Sequence, residues 1–187
     1  MDMEYTVVRS KRRTISIEIT EDAKLLVRAP MRLSLRDIER FVEDNSDWVE
    51  NHTAKVSERN RKVDNIDPIS ENELAVLYTL AEARIPERVA YYADILGVTY
   101  GKISVRKQKT MWASCTAKGD LSFNCLLMKA PAHVRDYVIV HELCHRLEMN
   151  HSKRFWQHVA SVIPDYSKCR KWLREEGVLI MGTAKDV

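Results

Sequence analysis

The stretch Val138-Ile-Val-His141-Glu142-Leu-Cys-His145-Arg-Leu-Glu-Met-Asn-His151 decides how the rest of this 187-residue chain is read. It contains His-Glu-x-x-His, the spacing that places two metal ligands and a base on one helix. Residues four apart share a helix face, about 6 Å from each other along the axis. His141 and His145 can therefore reach one ion through bonds of about 2.0–2.1 Å. Glu142 leans over the same face without aiming at the ion, where a carboxylate can take the proton of an activated water. A third ligand is needed, and His151 is the nearest candidate. It follows His145 at the separation found in His-Glu-x-x-His-x-x-Gly-x-x-His. Glu148 stands where that pattern has Gly, so the turn is expected at Asn150 instead. Glu148 stays open as an acidic alternative, and His158 is read as a packing or supporting residue. Three protein ligands leave a fourth position for water, the arrangement of a catalytic zinc site.

The surroundings support a buried helix. Pro131 suits its first turn, and Tyr137, Val138 and Val140 mark its apolar side. Histidines and a glutamate held there would be costly unless a metal engaged them. The helix is expected to run to about Asn150. Ser152 can cap the next helix, with Phe155, Trp156, Val159 and Val162 inside, until Pro164 ends it. A last helix covers 165–176, and the order of the tail from Gly177 is not legible. Upstream, residues 100–106 read as a strand, 110–120 as a loop and 121–128 as a second strand. If that second strand lies at a sheet edge, it can hold an extended peptide as an added strand; a plain core strand is the equal alternative. The oxyanion formed during hydrolysis needs a donor, with Tyr166 or a group near Trp112 and Ser114 as candidates.

The N-terminal third has a different pattern. Tyr5 and Val7, then Ile15, Ile17 and Ile19, then residues 24–28 alternate with polar residues at the period of half-buried strands. Three antiparallel strands are expected, with turns at 10–13 and 21–23. Ser34, with Asp37 three residues on, opens a long covering helix that should become exposed or fray after Asn51. Asp64-Asn-Ile-Asp-Pro68 is the linker candidate. Ser70-Glu-Asn-Glu73 is a capping box, Pro86 should break or restart the helix it opens, and Gly97 suits its end. The fold class is α+β: N-terminal antiparallel strands with a long helix, packed on a small peptidase-like core of helices and a short sheet. The whole of 1–187 is read as one domain, with a β-rich part at 1–63 and the core at 70–176.

Thirty basic against 27 acidic residues leave a net charge of +3, too balanced to argue for a nucleic-acid binder. The local clusters Arg9–Arg13 and Lys168–Arg174 read as solvated faces. No apolar run reaches the length of a membrane span, and the N-terminal residues do not look like a secretory signal. The four cysteines form no Cys-x-x-Cys pair. Free thiols in a cytoplasmic protein are the expectation, with Cys144 a small core residue.

The joined motifs resemble the YgjP-like metallopeptidase family, itself related to SprT-like and gluzincin-type zinc peptidases. The run Tyr137 to His145, then Asn150-His-Ser152, Phe155-Trp156, Pro164-Asp165-Tyr166 and Lys171-Trp-Leu173 carry the likeness. Upstream, Lys107 to Cys115 is similar to a family segment usually written Arg-Trp-Gly-Ser-Cys, and Leu121 to Leu126 to the strand after it. Arg9 to Arg13, Val27 to Pro30 and Phe41 to Trp48 extend it over nearly the whole chain. The resemblance implies a zincin-type α+β fold and one Zn2+ ion held by His141, His145 and His151, favouring His151 over Glu148. It implies Glu142 as catalytic base on a protein or peptide substrate. Asn124 joins Trp112, Ser114 and Tyr166 as a candidate substrate or transition-state contact. Met111 and Ala113 stand where the family usually has Arg and Gly, which touches substrate choice. The competing readings are a non-catalytic, zinc-stabilised module binding protein or nucleic acid, and a zinc hydrolase acting on a non-peptide substrate. The intact Glu142 argues against the first, since a structural site has no use for a base.

Overall fold

A computed structural model describes residues 4–184. The β-rich part expected at 1–63 and the domain expected at 1–187 include residues 1–3 and 185–187, which lie outside that range. The chain divides into two compact units, 1–65 and 66–187, and the division falls within the linker expected at 64–68.

The first unit contains β1 (Tyr5–Ser10), β2 (Ser16–Ile19), β3 (Leu25–Pro30), α1 (Leu35–Asp44) and α2 (Ser46–Asp64). The expected antiparallel trio is corrected in one respect. The order is β1-β3-β2, and β1 runs parallel to β3, with Val7 beside Val27. Only β2 and β3 form a hairpin, closed by the Thr20 amide donating to the Lys24 carbonyl at 2.9 Å. The physical reason is burial. Leu25, Val27 and Ala29 are the most enclosed residues of the three strands, so β3 takes the centre, where both its edges are paired. The Arg9 guanidinium then fastens β1 alongside it by donating to the carbonyls of Pro30 and Leu33 at 3.0 and 2.7 Å. Arg9 is thus a structural tie and not part of a solvated face.

Ser34 caps α1 as expected, its hydroxyl accepting from the Asp37 amide. Two helices replace the single long one. The Asn45 side chain donates to the Phe41 carbonyl at 2.8 Å, competing with the helical ladder and closing α1. Beyond it, α2 does not fray. Its exposed surface carries the Glu58–Arg61 and Glu58–Lys62 pairs at helical spacing. Ile38, Val42 and Val49 cover the sheet residues Leu25, Val27 and Ala29.

The second unit begins with α3 (Glu71–Leu96), capped by Ser70 and ended at Gly97. Pro86 lies inside this helix and does not break it. An internal proline costs about 3 kcal/mol, but Leu77, Ala81, Ile85 and Val89 form one unbroken buried stripe across it. Glu82, whose carbonyl loses its donor, is exposed to water. Then come β4 (Ile103–Arg106), β5 (Ala113–Cys115), β6 (Leu121–Asn124), a 3-10 helix (Cys125–Lys129), α4 (Ala132–Cys144), α5 (Lys153–Val162), α6 (Tyr166–Glu175) and α7 (Gly177–Gly182).

Three expectations are corrected here. The 110–120 loop contains β5. The second strand stops at Asn124 and becomes a 3-10 helix, because the Asn124 side chain accepts from the Leu126 amide at 3.1 Å and turns the chain. The sheet order is β4-β6-β5, with β4 and β6 parallel and β5 antiparallel to β6. The strand beginning at Leu121 is therefore central, with no free edge to receive a peptide; β5 holds an edge. The tail from Gly177, left open by the sequence, starts as α7. The core of this unit joins α3 to α4 through Ile85, Val89, Val134, Val138 and Ile139. The Arg88 guanidinium grips the Asp136 carboxylate with two bonds of 2.9 and 2.8 Å at the rim. Among the described residues, no helix is long and apolar enough to cross a membrane.

Candidate metal centre

The site is built on α4. Val134, Tyr137, Val138, Ile139, Val140, Leu143 and Cys144 are all buried, so this helix is apolar nearly all round and sits inside the unit. Cys144 is fully enclosed, and burial pushes its thiol up to about 12. It is an inert core residue, and all four cysteines are free.

The helix stops earlier than the sequence implied. His145 is already its C-cap, and residues 146–150 form turns. Arg146 explains the stop. Its guanidinium leaves the helix axis to donate to the carbonyls of Thr99 and Ala117, both at 3.1 Å. Gly119, at φ +93°, lies beneath it. A Cβ there would come within 2.9 Å of Arg146 Nε, so glycine is required both by the backbone conformation and by the space. The early turn shortens the path to the third histidine, and Asn150 finishes it by accepting from the Ser152 amide at 3.0 Å. Ser152 caps α5 through the Phe155 amide.

This path brings His151 back over α4. One nitrogen each from His141, His145 and His151 lies within 4.8 Å of the others. His151 Nε2 is 3.0 Å from His141 Nε2. Tetrahedral ligands at zinc bond lengths stand about 3.3 Å apart, so the His141–His151 pair is close to that spacing and the three together could hold one ion. Burial first, then the neighbouring His145, His151 and Arg170, hold the His141 imidazole down to about 3. His145 is lowered too, chiefly by burial. Neutral imidazoles with free lone pairs are what a metal requires. Phe155 forms a common floor, its ring centroid 4.9, 4.7 and 4.7 Å from those of His141, His145 and His151. The Tyr137 hydroxyl lies 3.5 Å from His141 Nδ1, one turn back on α4. The His145 Nδ1 sits 3.3 Å from the Glu148 carbonyl. Glu148 thus meets the site through its backbone.

Glu142 is 7% exposed. Burial alone lifts its carboxyl to about 7, with no cation or donor offsetting the cost. It lines a cavity of about 210 Å3, together with His141; Met111, Trp112, Tyr137, Val138 and Leu173 are among the other walls. Two larger hollows, of about 320 and 650 Å3, hold none of the three histidines.

The other sequence candidates fall in different places. Trp112 lines the cavity, and its ring packs against Gly177 so closely that a Cβ there would approach Cζ2 to 2.9 Å. Ser114 lies on β5 opposite Ser122. Asn124 is fully buried and donates to the carbonyls of Gln108 and Met111 at 2.7 and 3.0 Å, so it holds the loop that carries Met111 and Trp112. Tyr166 stacks on Trp156 at 5.2 Å, and Trp156 stacks on His151 at 5.7 Å. Arg170 lies 4.5 Å over the Trp156 ring. His158 Nε2 is buried without a hydrogen-bond partner, and His158 does not belong to the converging group of His141, His145 and His151. Sequence reading missed Phe155 as the floor and Leu173 as a wall. The spacing of Tyr137, four residues before His141, was a signal for its position; nothing local signals Leu173.

The family described as YgjP-like, metallopeptidase domain, matches residues 13–77 and 70–176. Among solved structures, the chain is similar to the metallopeptidase zymogen of Pyrococcus abyssi abylysin. The two are 23% identical over 49% of this chain and 95% of that one, with a TM-score of 0.45. No curated protein matches the chain.

Proposed function

The chain belongs to the YgjP-like metallopeptidase family, and we propose that it is a zinc-dependent peptidase using one zinc ion, with His141, His145 and His151 as ligands and Glu142 as general base. The observation that carries the reading is the convergence of three histidine ring nitrogens beside a buried, uncompensated carboxylate. A zinc ion held by the three histidines would acidify a water molecule and polarise the peptide carbonyl.

The protein's own groups do the rest. Glu142 accepts the proton of the attacking water and returns it to the leaving amine. A base working near neutral pH benefits from a carboxyl raised toward 7, as burial raises this one. Phe155 and Tyr137 hold the His141 ring from two sides, so its orientation is set before substrate arrives. The edge of β5, whose Ala113 borders the cavity, is where an extended peptide can add as a strand. Four free thiols suit a cytoplasmic setting.

The buried carboxylate also weighs against a purely structural zinc site, where it would cost stability and return nothing. The test compares zinc content and cleavage of unfolded protein substrates for the wild type, Glu142→Gln and His151→Ala. Glu142→Gln should retain one zinc per chain and lose cleavage by about 10²-fold or more, within the range of general-base contributions. His151→Ala should lose zinc. A wild type that binds zinc and cleaves no peptide bond would refute the peptidase.

A further inference from the structure

The cavity beside Glu142 has a chemistry of its own. Its walls come from three separate places: Met111 and Trp112 before β5, Val138 on α4 and Leu173 on α6. All four side chains are apolar or aromatic. The remaining lining is Ala113, Tyr137, His141 and Glu142, and the reacting bond would lie beside the last two. Building on the peptidase reading, we infer that this cavity is a specificity subsite for one large apolar side chain, that of a residue flanking the scissile bond, with Met111 and Leu173 deciding the choice.

Size supports one side chain. A cavity of about 210 Å3 is below the roughly 300–1,000 Å3 of pockets that hold a whole small molecule. It exceeds the roughly 150 Å3 of an apolar cavity that takes up benzene. A phenylalanine, leucine or methionine side chain fits that interval. Charge decides the class. An acidic side chain entering here would approach the Glu142 carboxylate with no basic wall to receive it. A lysine or arginine would find Glu142 as its one anionic partner. Pairing there would occupy the carboxylate needed to take the proton of the attacking water. An apolar side chain meets neither difficulty and removes its own surface from water.

The position of each wall gives it a distinct role. Met111 is 50% exposed, so it is the wall that an incoming side chain can meet from solvent. Leu173, half-buried on α6, is the wall set by a different segment. The Met111 backbone is held in place, because the buried Asn124 amide donates to its carbonyl. The Trp112 ring is pressed by Gly177 at the start of α7, so the wall it forms cannot swing back without moving that helix.

The experiment has two arms. The zinc-loaded wild type is given a proteome-derived peptide library, and cleavage sites are read by mass spectrometry. Phe, Leu, Met or Tyr should be enriched several-fold at one position flanking the cut. Leu173→Trp, which fills the cavity, should move that enrichment to Ala, Ser or Gly. Met111→Arg should raise acceptance of Asp and Glu at the same position. In the second arm, zinc-loaded Glu142→Gln is titrated with two capped pentapeptides that differ only by a central Phe or Asp, followed by tryptophan emission. The Phe peptide should bind at least about tenfold tighter, and Leu173→Trp on that background should remove the difference. Equal binding of the two peptides, or cleavage without apolar preference, overturns the subsite. Apolar-selective binding without any cleavage by the wild type upholds the subsite and refutes the peptidase instead.

Discussion

Replacing Glu142 with Gln in the metal-free protein should stabilise it, and the gain should grow with pH. Glu142 is buried on α4, and burial lifts its carboxyl from an ordinary 4.5 to about 7 in the folded state. A carboxyl raised on folding contributes stability that is fully present below its unfolded value and is lost as pH rises through its folded value. Between about pH 4.5 and 7, the folded protein holds a proton that the unfolded chain releases. A difference of about 2.5 units, at 1.36 kcal/mol per unit, corresponds to about 3 kcal/mol once pH exceeds 8. Glutamine has nearly the same shape and never ionises, so the variant escapes this loss. The stability of variant minus wild type should therefore rise by about 2–3 kcal/mol between pH 5 and pH 8. His141 titrates oppositely. Its lowered value makes both proteins lose stability as pH falls below about 6.5, and this cancels in the difference. The assay is urea unfolding with a chelator present, read by tryptophan emission in a Trp48→Phe background. The three remaining indoles, Trp112, Trp156 and Trp172, then all report on the unit that carries the site. A difference that stays flat from pH 5 to pH 8 would refute the reasoning, because it would mean that Glu142 is solvated or paired.

Two further perturbations probe the frame of the site. Phe155→Ala removes the fully buried ring under all three imidazoles. It should cost about 3–5 kcal/mol of stability, and zinc affinity, measured by competition with a chromogenic chelator at a temperature where the variant is folded, should fall as well. Unchanged affinity would show that the floor does not orient the ligands. Gly119→Ala forces a side chain into a left-handed backbone conformation and against Arg146. It should destabilise by about 1–3 kcal/mol and speed amide exchange over 146–151, which hydrogen-exchange mass spectrometry can localise. Exchange raised only around Gly119 would separate the Arg146 anchor from the delivery of His151.

The geometry of the candidate site was legible in part because its information is local. His141, Glu142 and His145 are placed by the helical repeat alone, and any helix through them aligns the two rings. Ser34, Ser70 and Ser152 announce their helices because a cap is a contact between residues three apart. The linker at 64–68 is legible for a similar reason, since it lacks periodic apolar residues. Burial of Cys144 follows from the helix face it occupies.

Other features depend on partners far away along the chain. Sequence periodicity made β1, β2 and β3 strands, but their order turns on which strand is most enclosed and on Arg9 reaching the carbonyls beyond β3. Pro86 forbids a helix locally, while the buried stripe packed along α3 outweighs it. The strand after Leu121 looked continuous because Phe123, Cys125 and Leu127 alternate. Its end at Asn124 comes from that side chain accepting from the Leu126 amide, and bonds to Gln108 and Met111 from another segment hold the side chain where it can do so. The end of α4 is set in the same way, by carbonyls at Thr99 and Ala117 that draw Arg146 off the helix. The sequence by itself determined two ring positions, a neighbouring carboxylate and the helix that bears them, because a regular backbone converts spacing into direction. Tertiary structure decided how His151 reaches the other two rings, that Phe155 lies under all three, and that Met111 and Leu173 face one cavity. Those arrangements rest on packing and on hydrogen bonds between distant segments, whose free energies exist only once the chain has closed on itself.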